Sequence, residues 1–483
     1  MLLGLQHSYL ALPSRFYARV NPTPVTNPQL IVFNTRLAED LGLAPSDIEP
    51  QAADLFSGNR LPDDANPLAM AYAGHQFGGF VPRLGDGRAI LLGELQGRDG
   101  VLRDLQLKGA GPTPFSRNGD GRAVVGPMLR EYLISESMHA LGIPTTRSLA
   151  VVATGEVVYR EEPLPGAVLT RVAASHVRVG TFQYFAARGD QDGLRDLLEY
   201  VISRHYASAR AADSPALAVL REVAERQAAL VAQWLSVGFI HGVMNTDNMA
   251  ISGETIDYGP CAFMDEYDPR TVFSSIDRNG RYAYANQGAI AQWNLARLAE
   301  TLLPLIDSDI DKAVDLANEV IEAFSARLDA HILTAMRRKI GLASSTEADA
   351  ELIRNLLTAM QQSKADFTLT FRRLAAMAEE PGAGPFSPDA AVENWLGQWR
   401  GRLTTDPLTS AERAASMRAA SPAFVPRNHR VEAALNAAET GDYAPFRKLL
   451  GVLTRPYDDQ PEMAEFATPP QPAERVLQTF CGT

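Results

Sequence analysis

The chain has 483 residues, of which 46% are hydrophobic and 21% are charged, and its formal net charge is −12. These proportions are ordinary for a soluble globular protein and do not indicate a fibre or a disordered chain. The negative balance argues against nucleic acid as a partner, because binding along a phosphate backbone requires a surplus of Lys and Arg.

Cysteine content and the N-terminus bear on location. Cys261 and Cys481 are the two cysteines, which excludes a disulfide framework and favours a reducing compartment. The N-terminus lacks a basic region of the kind that begins a signal peptide, and no stretch reaches the about 18 apolar residues of a membrane span. We therefore expect a cytoplasmic, monomeric protein of bacterial type with no membrane partner.

The first part of the chain predicts a mixed region. Residues 1–80 are rich in Pro and loop signals, with one helix over 35–41, and are interpreted as an irregular extension that wraps the lobes. Residues 81–178 are predicted to form an N-terminal lobe, an antiparallel sheet with one helix against it. The predicted strands are 89–95, 101–108, 149–152, 157–160 and 167–172, and the predicted helix runs from 127 to 141.

Beyond Gly180 the apolar residues recur at steps of three and four, which predicts helices. Residues 179–310 are interpreted as a helical lobe that carries a catalytic loop and a metal-binding hairpin, and residues 311–483 as a helical extension and tail. The predicted fold class is α+β. The predicted helices are 193–206, 215–237, 288–306, 308–338, 348–362, 365–379 and 429–438.

The segment HGVMNTDNMAISGETIDYG carries the most informative pattern. Protein kinases use H-R-D-L-x-x-x-N followed by D-F-G, in which the Asn and the second Asp hold magnesium ions. His241 and Asn248 keep the interval of the first motif, and Asp257 begins a D-Y-G in place of the second. Two short strands, MAIS and TI, are expected to form a hairpin that brings Asn248 and Asp257 together. Their oxygens suit Mg²⁺ or Mn²⁺.

The usual kinase base is absent from this motif. Val243 stands where kinases have the catalytic Asp, and a displaced carboxylate, Asp247, immediately precedes Asn248. The pattern therefore indicates a metal–nucleotide site with a different arrangement of the base.

A glycine loop and an ion pair extend the kinase-like order. Gly85, Gly87 and Arg88 precede the first strand of the N-terminal lobe, where glycines let backbone N–H groups approach phosphate oxygens, although such glycines are more often a tight turn. Lys108 ends the next strand, as the kinase strand Lys does. For its partner on the following helix we prefer Glu131 to Glu136.

Two further cations fall near this region. Arg171 and Arg178 offer guanidinium groups whose geometry matches phosphate, with surface salt bridges as the alternative interpretation.

Together, the segments GDGR, LQLKGAGPTPFSR, LREYL, HGVMNTDNM and DYGPCAFMD resemble the selenoprotein O family over nearly the whole chain. The resemblance implies a two-lobed, protein-kinase-like fold, a pseudokinase that binds ATP in reversed orientation and transfers AMP to hydroxyl side chains of proteins. It makes Lys108 and Glu131 the ion pair, Asn248 and Asp257 the metal ligands and Asp247 the proton acceptor. The implied nucleotide site contains Gly85, Gly87, Arg88, Lys108, Asp120, Gly121, Arg171, Arg178 and Asp257.

The cysteines suggest a redox hypothesis. Cys261 stands four residues after Asp257, in the segment that kinases use as an activation loop, and Cys481 occupies the place of the family's selenocysteine. A disulfide between them would tether the tail over the cleft, although isolated cysteines in a cytosolic chain are usually unpaired.

Three functions remain open, and the first of them, which the resemblance implies, is the leading hypothesis. The first is an ATP-dependent protein adenylyltransferase, in which reversal of the nucleotide accounts for Val243. The second is a protein kinase that uses Asp247 as its base, and the third is an inactive nucleotide-binding scaffold.

Overall fold

The computed structural model describes residues 1–380 and 384–480. Within them lies a seven-stranded sheet of order β1-β3-β6-β7-β9-β8-β2, and each neighbouring pair is antiparallel. The strands are β1 (Tyr17–Arg19), β2 (Gln29–Phe33), β3 (Leu68–Met70), β4 (Gly74–Gln76), β5 (Gly79–Val81), β6 (Ala89–Gln96), β7 (Leu102–Lys108), β8 (Arg147–Tyr159), β9 (Pro163–Ala173), β10 (Phe239–Ile240) and β11 (Ala262–Phe263).

Most of the remaining chain is helical. No helix in the described part of the chain is both long enough and apolar enough to cross a membrane. The helices are α1 (Thr35–Asp40), α2 (Pro45–Ile48), α3 (Ala52–Ser57), α4 (Val125–Ala140), α5 (Val179–Ala186), α6 (Gln191–His205), α7 (Pro215–Ser236), α8 (Gln287–Ile306), α9 (Ile310–Lys339), α10 (Asp349–Gln362), α11 (Phe367–Glu379), α12 (Ala390–Leu403), α13 (Ser410–Ala420), α14 (Asn428–Glu439) and α15 (Ala444–Leu453).

The alternation of β7 decides which side chains reach the site. Leu105 and Leu107 are buried in one apolar cluster with residues of α1 and α3. Because successive side chains of a strand point to opposite faces, Gln106 and Lys108 lie on the other face, where α4 packs. The sheet therefore separates an apolar layer from a layer that carries charge.

The structure corrects three predictions about the sheet and the helix that packs on it. Residues 1–80 are not only an irregular wrap, because β1, β2 and β3 join the seven-stranded sheet. The runs predicted at 149–152 and 157–160 are one strand, β8, whose register against β9 shifts between Ala153 and Val157. The predicted helix at 127–141 begins earlier, at Val125.

The C-terminal helices brace α4 from behind. Arg130 of α4 forms an ion pair with Glu432 of α14, with 2.9 Å between Nη1 and Oε1. The rings of Tyr132 and Phe446 contact at a centroid distance of 6.0 Å. The C-terminal helices thus support the helix that carries Glu131. The described chain is mixed α and β, with an antiparallel sheet.

Candidate active site

A cavity of about 740 Å³ opens between the sheet, α4 and the loops that follow α7. This volume is within the range of small-molecule sites. Nearly every residue predicted for the site lines it, namely Gly85, Gly87, Arg88, Lys108, Asp120, Gly121, Glu131, Arg171, Arg178, Asp247, Asn248 and Asp257.

Lys108 and Arg171 join Glu131 to Asp257. Lys108 Nζ lies 2.5 Å from Glu131 Oε2 and 2.9 Å from Asp257 Oδ1. Arg171 Nη1 lies 3.2 Å from Glu131 Oε1 and 2.8 Å from the same Asp257 oxygen. Glu136, the alternative partner, instead binds Arg147 through both carboxylate oxygens. The preference for Glu131 is therefore confirmed as a contact.

Asp257 keeps one oxygen largely open. Burial alone would raise the pKa of Asp257, but the positive charges of Lys108, Arg171 and Arg178 hold that pKa well below its ordinary value. Its Oδ1 accepts two of these bonds, while Oδ2 has a long contact of 3.4 Å with Arg178. The residue has a left-handed φ of 64°, which a non-glycine residue rarely adopts. The carboxylate is thus ionised and has an oxygen available for a cation.

Asn248 is the second predicted metal ligand. Its Nδ2 donates to the carbonyl of Val243 at 2.9 Å, which leaves the amide oxygen for a ligand. No group of three His, Cys, Asp or Glu that could hold a metal occurs in residues 1–380 and 384–480. An Asn–Asp pair nevertheless fits Mg²⁺ or Mn²⁺, because such ions at nucleotide sites take most of their oxygens from phosphates and water.

The prediction of a hairpin between Asn248 and Asp257 is wrong. Residues of MAIS and TI do not pair with each other: Ala250 forms a bridge with Arg178, and Thr255 forms one with Thr145. The loop is therefore held by the segment before α5 and by the segment before β8, rather than by its own turn.

Asp247 is a buried carboxyl group of the cavity wall. Burial raises the pKa of Asp247 to about 6. Gln76 Nε2 donates to its Oδ2 at 3.2 Å. Val243, which stands where kinases have their base, lines the same cavity. A carboxyl group with this pKa can accept a proton near neutral pH.

Arg178 has an unused donor. It is 2% exposed, its guanidinium lies 4.4 Å from the ring centroid of Tyr72, and Nη1 donates to the backbone carbonyl of Asp247 at 2.9 Å. Its buried Nη2 has no hydrogen-bond partner among the described residues. Buried donors are normally paired, and the guanidinium of Arg178 has instead a contact with the face of the Tyr72 ring beside the cavity.

The glycine loop corrects a prediction about backbone donors. The N–H groups of Gly85, Asp86 and Gly87 donate to the carbonyls of Tyr72, Met70 and Gly85, so they do not point at a ligand. Gly85 has a φ of 70°, and a Cβ there would lie 2.3 Å from the ring of Phe115. Close packing explains this glycine, and the half-buried Arg88 is the cationic group that the loop presents to the cavity.

Asp120 also lines the cavity, and its carboxylate binds Arg160 rather than Lys108, Arg171 or Arg178. Its oxygens accept bonds of 2.8 and 3.0 Å from Arg160. This ion pair holds the loop that contains Gly121.

Cys261 is fully buried, and burial raises the pKa of its thiol to about 12. Cys481, its proposed partner, lies outside the described residues. The preceding tail runs along the activation-loop segment, since Thr479 N donates to the Phe273 carbonyl at 2.7 Å and its hydroxyl donates to the Pro260 carbonyl. The disulfide stays a prediction.

The sequence reasoning missed the contribution of β4 and β5. Gln76 and Phe77 of this hairpin line the cavity, as do Asn245 and Ile276. The glycine-rich run GHQFGG was a turn signal with polar residues beside it, which could have indicated the hairpin.

The chain is similar to one family of known proteins over nearly its whole length. The profile of a family described as "Protein adenylyltransferase SelO" matches residues 2–454. A protein of Rhizobium etli (strain CIAT 652) is 63% identical over 486 aligned positions, which cover 99% of this chain and 97% of that protein. Proteins of Rhizobium meliloti (strain 1021) and Bradyrhizobium sp. (strain ORS 278) are 62% and 59% identical, with 99% of both chains covered in each case. All three are named "Protein nucleotidyltransferase YdiU".

Proposed function

The chain belongs to the SelO family of protein adenylyltransferases, and from this membership we propose that it transfers AMP from ATP to Ser, Thr or Tyr hydroxyl groups of proteins. The observation that carries the proposal is the placement of a carboxyl group at Asp247 and of an apolar residue at Val243 in the wall of the same cavity. A buried carboxyl group stands beside the metal-ligand pair, and the position of the kinase base is apolar.

In the proposed reaction, AMP moves from ATP to the acceptor hydroxyl and pyrophosphate leaves. The acceptor oxygen forms a bond to the α-phosphorus, the bond from that phosphorus to the pyrophosphate oxygen breaks, and the acceptor proton moves to Asp247. Lys108, Arg171 and Arg178 supply positive charge beside the transferring phosphates. Positioning and fixed charge are the main sources of catalysis in such transfers.

Asn248 and Asp257 would hold Mg²⁺ or Mn²⁺, which neutralises phosphate charge when bound. The open Oδ2 of Asp257 and the amide oxygen of Asn248 support this assignment. Asp257 stays ionised over the working range because its pKa is held low.

We also propose that the chain has a kinase-like arrangement of two lobes and that ATP binds in reversed orientation. Arg88, Asp120 and Gly121 line the end of the cavity near the glycine loop, and Arg88 supplies a cation that a kinase glycine loop does not require. The outer phosphates lie toward this end in the proposed orientation, and the α-phosphate lies toward Asp247.

Incubation with ATP radiolabelled at either the α or the γ phosphate tests the function. With Mg²⁺ or Mn²⁺ present and dephosphorylated casein as acceptor, we expect α label and no γ label in casein or in the chain itself. Asp247→Asn removes the proton acceptor at constant shape, so it should lose the α label.

A matched control is Asp99→Asn, which changes an exposed Asp paired with Arg103 and should keep full transfer. Transfer of γ label instead would identify a protein kinase. Nucleotide binding with neither label transferred would identify a scaffold.

A further inference from the structure

We propose that the β4–β5 hairpin is the element that positions Asp247 for the acceptor hydroxyl, and that Gln76 is its positioning residue. The inference rests on the proposed function, in which Asp247 takes the proton of the acceptor hydroxyl. It concerns a hairpin that lies outside the glycine loop, the ion cluster and the metal-ligand pair.

Consecutive residues of the hairpin bind consecutive residues of the catalytic loop. His75 N donates to Thr246 Oγ1 at 2.7 Å, Gln76 Nε2 to Asp247 Oδ2 at 3.2 Å, and Phe77 N to Asn245 Oδ1 at 3.1 Å. Phe77 has a left-handed φ of 50°, a conformation that costs free energy and persists when its surroundings fix it. The hairpin is therefore docked in one register on residues 245–247.

The hairpin contacts both carboxylate oxygens of Asp247. A Cβ placed on Gly74 would lie 2.4 Å from Asp247 Oδ1, so the absence of a side chain there lets that oxygen fit beneath the hairpin. Oδ1 is buried and has no hydrogen-bond partner among the described residues. Oδ2 is the oxygen that Gln76 binds, and it is the one left to meet an acceptor hydroxyl.

Side chains behind the hairpin hold the arrangement in place. Gln183 of α5 joins the two sides, since its Oε1 accepts from the Thr246 hydroxyl at 2.6 Å and its Nε2 lies 2.8 Å from His75 Nδ1. Tyr282 donates its hydroxyl to Asn245 Oδ1 at 2.6 Å. Gln76 thus extends from a fixed support, as a group that orients another residue must.

The position of Gln76 predicts a selective loss of rate. Gln76 forms no hydrogen bond with Lys108, Arg171 or the glycine loop among the described residues, so its replacement leaves those predicted ATP contacts in place. A misplacement of about 1 Å in a reacting group lowers the rate by about 100-fold. The loss should appear in kcat and leave the affinity for ATP unchanged.

The test compares Gln76→Leu with Gly74→Ala in the full-length chain. The first variant removes the donor to Oδ2, and the second places a methyl group against Oδ1. We expect each to lower kcat for α-label transfer to casein by about 10- to 100-fold, with the KM for ATP and the stabilisation by ATP against thermal unfolding within about twofold of wild type. Using two variants keeps the test valid if one folds poorly.

Gln292→Leu is the matched control. Its amide donates to the Ile321 carbonyl between α8 and α9, so it removes one hydrogen bond of the same kind away from the hairpin, and wild-type kcat is expected.

Unchanged kcat in both hairpin variants would overturn the inference, and so would an increase in the KM for ATP that matches the fall in kcat, since a general loosening of the cleft has that effect. If wild-type protein transfers no α label and releases no pyrophosphate, the proposed function itself fails. The two failures are therefore distinguishable.

Discussion

Two groups of ion-paired side chains in this molecule have the same numbers of positive and negative charges and differ in their remaining hydrogen-bond partners. In the cleft, Lys108, Arg171 and Arg178 face Glu131 and Asp257, three cations against two carboxylates. Among the C-terminal helices, Arg337, Arg402 and Arg413 face Asp349 and Asp406, again three against two.

The two clusters differ in what meets the surplus positive charge. In the C-terminal cluster the guanidinium groups donate to backbone carbonyls of Ser344, Thr346, Gly341 and Leu408, so the protein itself completes them. In the cleft, Arg178 Nη2 has no partner among the described residues and Asp257 Oδ2 is nearly free. A closed cluster supports the fold, whereas an open one is prepared for a ligand.

Asp257→Ala should have the largest effect, because it removes the carboxylate on which the open cluster converges. We expect kcat for α-label transfer to fall by about 1000-fold, in the range of losses for a group that stabilises transition-state charge. Circular dichroism should show an unchanged fold. Turnover equal to wild type would remove Asp257 from the metal site.

Asp349→Ala tests the closed cluster. The carboxylate accepts from Arg337 Nε and Arg402 Nε at 2.8 Å each and also binds Thr346. Its loss leaves Arg337 without a carboxylate partner in the described part of the chain and Arg402 with a contact of 4.0 Å to Asp406, and we expect the free energy of unfolding to fall by about 3 kcal/mol in urea titrations. Transfer per folded molecule should be unchanged, and a loss of rate without a loss of stability would contradict the comparison.

Arg171→Lys separates charge from geometry within the open cluster. Arg171 binds Glu131, Asp257 and the Gln106 amide oxygen through one guanidinium, and an ammonium cannot reproduce this fork. We expect kcat/KM for ATP to fall by about tenfold, or about 1.4 kcal/mol. The reverse exchange, Lys312→Arg on the surface of α9, should leave it unchanged.

Glu254 provides a third case, a carboxyl group whose donors among the described residues are neutral, namely Ala174 N and the Ser252 hydroxyl. Burial raises the pKa of Glu254 to about 7. Because the folded pKa lies above the unfolded one, folding disfavours the charged form, and stability falls as the pH rises toward and through about 7.

Glu254→Gln removes this dependence. The stability of this variant relative to wild type should be about 2.5 kcal/mol greater at pH 8 than at pH 5, as measured by thermal unfolding at both values. Glu222→Gln on α7 is the matched control and should show no such gain. A constant difference across the two pH values would show that Glu254 is solvated.

Local patterns in the sequence predicted the parts of the site that depend on local structure. The alternation of β7 placed Lys108 opposite Leu105 and Leu107, and helical periodicity distinguished Glu131 from Glu136. These relations require only the period of a strand and of a helix.

Relations between distant segments were not predicted. The loop of Asn248 and Asp257 was interpreted as a hairpin because its residues favour strands, whereas Ala250 and Thr255 pair with Arg178 and Thr145, far away along the chain. Likewise, β8 continues past Gly155 because β9 pairs with it on both sides of the bulge. Strand propensity depends on a few neighbouring residues, and pairing with segments that are distant along the chain overrides it.

The positions of β1 and β2 in the sheet have a consequence for how the protein is made. These strands occupy its two opposite rims, and they pair with β3 and β8, which a ribosome completes only later. A chain that lacks residues 1–33 would lose both strands and expose the backbone N–H and C=O groups of β3 and β8, where other molecules can add strands. The strands at the two rims are short, with three and five residues, so each rim offers a small edge to which another chain could add, and this limits aggregation of the folded protein.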